Sequence, residues 1–251
     1  MASFWSTLAE ARPLPLQARR YLALFLPRWA TDCLKRADPQ LAASDRPLAL
    51  WERQKGAMRL VAVDNRAAMV GLRTEQSLTD ARALVPNLDV REINRPYLEQ
   101  VFADFADWHS NASPIVSVLT DVAAFGDLVL DITGVSHLFG GEAKMLKTLT
   151  GRLEALGFTV AGAIAPSVGG AWALAHFSPG RIVEDDSAAA LAPLPVSALR
   201  LEESQVTGLV QMGLKRIGQL HGRDRKALQA RFGASLISRI DQAMGQIEER
   251  V

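Results

Sequence analysis

The carboxylates that could hold divalent metal ions are Asp127, with Asp32, Asp64 or Asp121 as possible companions. Two-metal phosphoryl transfer needs several carboxylates converging on ions about 3.5 to 4 Å apart, because only that clamp stabilises both the attacking and the leaving oxygen. One carboxylate cannot do this. Asp131 precedes Thr133 and Gly134 at a strand end and reads as a turn or cap residue rather than a ligand. His109, His137, His176 and His221 are scattered, and no Ser/His/Asp arrangement follows from spacing. Gly169-Gly170 lacks the Gly-Lys-Ser/Thr ending of a phosphate loop and reads as close helix packing. Cys33, the only cysteine, excludes an internal disulfide and a thiolate cluster, and reads as a buried thiol in a reducing compartment.

The elements that must position these groups are legible from apolar pattern and punctuation. Tyr21 to Leu26 is a short buried strand, and Pro27 leads into a helix over Arg28 to Lys35. Leu48 to Trp51 and Arg59 to Val63 read as a hairpin about the charged turn Glu52 to Gly56. Ser77 caps a helix that stops before Pro86, and Arg95 to His109 places Val101, Phe102, Phe105 and Trp108 at helical spacing. Ile115 to Leu119 and Leu128 to Ile132 pair as strands. Glu142 to Leu156 is a helix, Phe158 to Ile164 a strand, and Ser167 to Phe177 a helix. The resulting β-α-ββ-α-β order predicts an α+β fold with a ferredoxin-like sheet and helices on one face, with Arg46 to Val90 as an insertion. Past a boundary near Pro195, Glu202 to Met212, Arg223 to Arg231 and Ala234 to Met244 form a helical module with turns at Gly213, Gly218 and Gly233.

At 251 residues and 49% apolar content the chain can bury one large core or two small ones. It has no apolar run of membrane-spanning length and no basic start followed by an apolar stretch, so the expectation is a soluble cytoplasmic protein without a secretory signal. The net charge of +1 conceals an asymmetry: Leu214 to Arg239 holds seven Lys or Arg and only Asp224 among acids. That points to nucleic acid.

Four segments in order resemble the Y-family translesion DNA polymerases over roughly Tyr21 to Gly245. They are Val70-Gly71-Leu-Arg73-Thr-Glu-Gln-Ser77-Leu-Thr-Asp80, Leu130-Asp131-Ile-Thr133-Gly134, Gly162-Ala-Ile-Ala-Pro166-Ser167, and Pro195-Val196 with Met212-Gly213-Leu-Lys-Arg-Ile-Gly218. More narrowly, Leu24 to Asp32 and Asp131 to Glu142 resemble the ImuB branch, regarded as non-catalytic. The resemblance implies an N-terminal arm (1–20), a palm (21–45 and 94–194), a small fingers insertion (46–93) and a helix-hairpin-helix-like thumb (195–251). Chains of that branch continue into a little finger and a partner-binding tail, which this sequence does not reach.

Carried over residue by residue, the resemblance places the family's metal positions on Phe25 and Pro27 in the first strand and on Gly126 and Asp127 in the second. An apolar ring cannot ligate Mg²⁺, which takes hard oxygen donors. The triphosphate supports fall on Asn65, Ala68 and Trp172, none of which supplies a cation. The thumb turn that would cradle a DNA phosphate falls on Arg200-Leu201-Glu202-Glu203-Ser204, where two glutamates repel one. Lys215, Arg216, Arg223, Arg225, Lys226, Arg231 and Arg239 are the candidate DNA contacts, weak and without sequence preference.

The expected function is a non-catalytic polymerase-like scaffold in DNA-damage-induced mutagenesis, with no metal and no cofactor; the alternative is a divergent metal-dependent nucleotidyltransferase using Asp127. The resemblance implies as partners an error-prone C-family DNA polymerase, RecA, a RecA-like companion protein of the ImuA type, and the sliding clamp. The companion and clamp contacts are expected C-terminal to this chain. Phe4, Trp5 and Leu8 are a possible interaction arm.

Overall fold

The structure, a computed structural model, describes residues 18–119 and 125–249. Asp121 and the Phe4, Trp5, Leu8 arm lie outside the described residues.

Strand β1 (Tyr21–Phe25) is the spine of the larger sheet. It pairs antiparallel on one side with β6 (Asp127–Asp131) and on the other with β7 (Ala161–Ala165); β5 (Ile115–Val118) pairs with the outer edge of β6. Helices α1 (Trp29–Ala37) and α2 (Pro39–Ala43) follow β1. A second sheet is built from β2 (Leu48–Gln54), β3 (Ala57–Val63) and β4 (Asp89–Glu92), in the order β3-β2-β4. It carries α3 (Asn65–Met69) and α4 (Leu78–Leu84). The chain returns through α5 (Arg95–Trp108) to β5 and β6, then through α6 (Glu142–Ala155) to β7 and α7 (Val168–Phe177). The order β1-α5-β5-β6-α6-β7, with every neighbour antiparallel, is the expected split β-α-β sheet. Helices α8 (Ser187–Leu191), α9 (Glu203–Gln211), α10 (Arg225–Phe232) and α11 (Ala234–Ala243) complete the described chain.

Helices cover both faces of the four-stranded sheet, not one as its order implied. The reason lies in β1, apolar at both parities: Leu22 and Leu24 join the core under α1, α5 and α6, while Tyr21 and Ala23 pack with α7 and the C-terminal helices. Phe25, Asp127, Val129 and Asp131 share the parity of Tyr21, so the candidate metal positions point towards α7.

Capping explains several boundaries. The Asp80 N–H donates to Ser77 Oγ (3.0 Å) and the Gly170 N–H to Ser167 Oγ (3.1 Å), each starting a helix where the sequence expects one. The strand expected from Phe158 begins later, because Gly157 turns the chain at φ +87° and the Thr159 N–H is taken by the Asp32 carboxylate (2.8 Å). Gly169 and Gly170 are packing residues. A Cβ at Gly169 would lie 3.1 Å from Ala243 Cα, and one at Gly170 2.7 Å from Ser167 Oγ, whose hydroxyl donates to the Ala243 carbonyl (2.7 Å). Their absence of side chains lets α11 lie directly on α7.

Candidate functional site

Phe25 and Asp127 are cross-strand partners, and α7 fills the space above them. Trp172 and His176 are one helical turn apart and therefore share a face. The His176 ring stacks on Phe25 (centroids 3.6 Å, 22° between planes) and on Trp172 (3.9 Å, 29°). Its Nε2 lies 2.6 Å from Asp127 Oδ1, with the Asp127 side chain only 4% exposed. An imidazole sandwiched between two aromatic rings thus engages the Asp127 carboxylate.

The other positions that the resemblance assigns to the ion site, Phe25, Pro27 and Gly126, carry no carboxylate. Gly126 has φ +114°, and a Cβ built on it would lie 3.1 Å from the Leu26 carbonyl oxygen. Exposed Pro27 follows β1. Asp131 accepts from the Thr133 N–H (2.9 Å) and from Arg19 Nη1 (2.6 Å), a turn and ion-pair role. Asp32 holds the Thr159 N–H, and its burial raises the carboxyl above the ordinary range. Asp64 caps α3 through the Ala67 N–H (2.8 Å) and pairs with Lys35 Nζ (2.5 Å). Among the described residues no three His, Cys, Asp or Glu side chains converge as a metal-binding group. The donors present do not fit a two-ion clamp.

A cleft of about 570 Å³ remains between the two sheets, floored by Phe25, Pro27 and Phe125 and walled by Val61, Val63 and Ile93. Its two arginines are already engaged. Arg28 donates to the Val63 carbonyl (2.9 Å) and to Asn65 Oδ1 (3.2 Å); Arg95 binds Glu52 with two hydrogen bonds (2.7 and 2.8 Å). Asn65 also donates to Thr159 Oγ1 (3.3 Å), and Ala68 packs half-buried against the small-sheet core. Asn65 and Ala68 thus have bridging and packing roles, Trp172 is buried in α7, and both arginines of the cleft are held by protein partners where a triphosphate would need free cations.

In the C-terminal module, the segments about Pro195 and Arg216 are held together. Val196 N–H donates to the Lys215 carbonyl (3.0 Å) and Ile217 N–H to that of Leu194 (2.9 Å). Glu202 forms a capping box with Gln205 at the start of α9, so this glutamate is an N-cap. The basic set is spread over several faces. Arg225 pairs with Asp241 (2.7 Å), Arg239 with Glu249 (3.0 Å), and Arg216 donates to the Pro193 carbonyl (2.5 Å). Arg223 and Arg231 line one groove, and Lys215 and Lys226 are exposed.

The impB/mucB/samB family model matches residues 24–176. The chain belongs to this family. Among its relatives, the Protein ImuB of two Caulobacter vibrioides strains is 40% identical over 182 residues, 72% of this chain and 39% of theirs. The chain thus spans about two fifths of the length of those relatives. Two similar solved structures are DinB from Sulfolobus solfataricus (TM-score 0.73) and an insertion ternary complex of Dbh DNA polymerase (TM-score 0.75). Each is 14% identical, with 92% of this chain and 69% of the other covered. At that identity the likeness establishes the fold: α+β, with a ferredoxin-like palm, small fingers and a helical thumb, as the sequence resemblance implied. Among the described residues no helix is long and apolar enough to cross a membrane.

His176 and the two arginines of the cleft are the site residues that sequence reasoning missed. The available signal was Trp172 and His176 at helical spacing, with Phe25 where the resemblance places the first metal position.

Proposed function

We propose that this chain is a non-catalytic, polymerase-like scaffold of DNA-damage-induced mutagenesis, built as palm (21–45 and 94–194), fingers (46–93) and thumb (195–251). The observation that carries it is His176 bound to Asp127 and stacked between Phe25 and Trp172, where metal ions would have to sit. The loss extends to the triphosphate positions, where Asn65 bridges Arg28 and Thr159 and Trp172 is buried in α7. Separate losses at ion and triphosphate positions favour a retained platform over a relocated metal site. What the platform would recruit is an error-prone C-family DNA polymerase together with RecA; contacts with an ImuA-type companion and the sliding clamp would not be made by these residues. Any DNA contact is weak, salt-sensitive and centred on exposed Lys215 and Lys226.

Co-purification of this chain with each candidate partner tests the recruiting role. Retention of the C-family polymerase or RecA, unchanged in Asp127→Asn, is the expected result. Failure to retain any of them, in a chain that extends primers by itself, would overturn it.

A further inference from the structure

We propose that the groove between the end of α9 and α10 docks an acidic peptide segment carrying a large apolar side chain. Its floor is Met212, Leu228 and Phe232, its rim is Arg223 and Arg231, and its volume is about 280 Å³. That is at the small end for a ligand pocket and suits one or two side chains better than a cofactor.

The groove is built into the backbone. A Cβ at Gly208 would lie 2.9 Å from the Phe232 ring, so only glycine lets that ring lie against α9. Gly213, at φ +80°, then turns the chain directly after Met212. Met212 stays 45% exposed and its neighbour Val210 41% exposed, beside a cationic rim.

The charge pattern selects the occupant. Arg225 and Arg239 are matched by Asp241 and Glu249, but among the described residues neither Arg223 nor Arg231 has a carboxylate partner. Arg223 reaches only the Gln219 carbonyl (3.4 Å), and Arg231 lies over the Phe232 ring (5.8 Å). The single acid in the lining, Asp224, accepts the Lys226 N–H as the cap of α10. Two unmatched arginines flanking an apolar floor complement an amphipathic acidic segment, with its anchor in the groove and its carboxylates on the rim. A nucleic-acid backbone would use the arginines and leave the floor unfilled, which makes peptide the better match. The inference rests on the scaffold reading, for which it supplies one docking surface.

The test uses a fluorescein-labelled synthetic peptide of Asp, Glu and Ala with a central Leu-Phe pair, and a control in which that pair is Ser-Ser. With methionine methyls labelled for NMR, the Leu-Phe peptide is expected to shift the Met212 signal. Met212→Glu and Arg231→Glu, both at exposed positions, should each weaken binding about tenfold or more, while Lys147→Glu, exposed on α6 and outside the groove, leaves it nearly unchanged. Equal binding of the two peptides, no binding of either, or a Met212 shift caused instead by a primer-template duplex would overturn the proposal. Primer extension by the chain sinks the scaffold reading whatever this groove binds; absent peptide binding without extension sinks the groove alone.

Discussion

Phe25 and Asp127 face each other across the β1–β6 ladder, and His176 touches both, stacking on the ring and reaching the carboxylate at 2.6 Å. A carboxylate buried on this face needs a partner, because a lone buried charge is costly. His176 supplies one from within the chain, so Asp127 anchors α7 to the sheet.

Removing that partner should therefore cost stability. His176→Ala leaves Asp127 buried and uncompensated and is expected to destabilise the fold by about 3 kcal/mol. The double variant with Asp127→Asn should recover part of the loss, since an amide pays less for burial than a charge. Urea denaturation of the two single variants and the double variant measures the coupling. Purely additive effects would mean that the two side chains do not act as a pair.

Introducing a carboxylate at Gly126, where the resemblance places a metal position, should not create a metal site. The backbone there sits at φ +114°, and a Cβ would meet the Leu26 carbonyl, so Gly126→Asp is expected to cost about 1–3 kcal/mol through strain. Thermal melts with and without Mn²⁺ check it. A variant that melts at the parent temperature and is stabilised by the ion would contradict the assignment.

Much of the fold was legible, and the exceptions have physical causes. Strand β1 and helices α4 and α7 announced themselves through an apolar run and Ser caps. Strand β4 did not, since Asp89–Glu92 is a short, polar edge strand whose parallel pairing with β2 involves residues some forty positions away. Helix α3 is short and started by Asp64, which sequence reading held as a possible ligand. At the candidate site, Phe25, Pro27 and Gly126 could be read from the sequence as residues without a carboxylate. The imidazole at the site could not be, because His176 lies 49 residues from Asp127 and meets it only through the packing of α7 on β1. Charge clustering along the chain also misled as to surface: Arg225 and Arg239 look like free cations in sequence but find Asp241 and Glu249 on and beyond α11.

The Glu52–Arg95 pair between the small sheet and α5 should leave a signature in acid. Hydrogen bonds from Arg95, then from Gln54, hold the Glu52 carboxyl down at about 2, against its ordinary 4.5. With the folded-state value lowered, the pair's contribution is fully present above pH 4.5 and is lost as pH falls towards about 2. The stability difference between parent and Arg95→Met, at most about 1 kcal/mol for so exposed a pair, should be constant near neutrality and shrink in that window. Urea titrations at stepped pH measure it. A difference that does not change with pH would contradict the assignment.

Primer extension on a primed template with Mg²⁺ or Mn²⁺ reads the central claim most directly. With His176 on Asp127 and no metal-binding group of three such side chains among the described residues, the chain is expected to add no nucleotide, and Asp127→Ala to change nothing. Template-dependent incorporation that disappears in Asp127→Ala would show that Asp127 is a ligand and contradict the account.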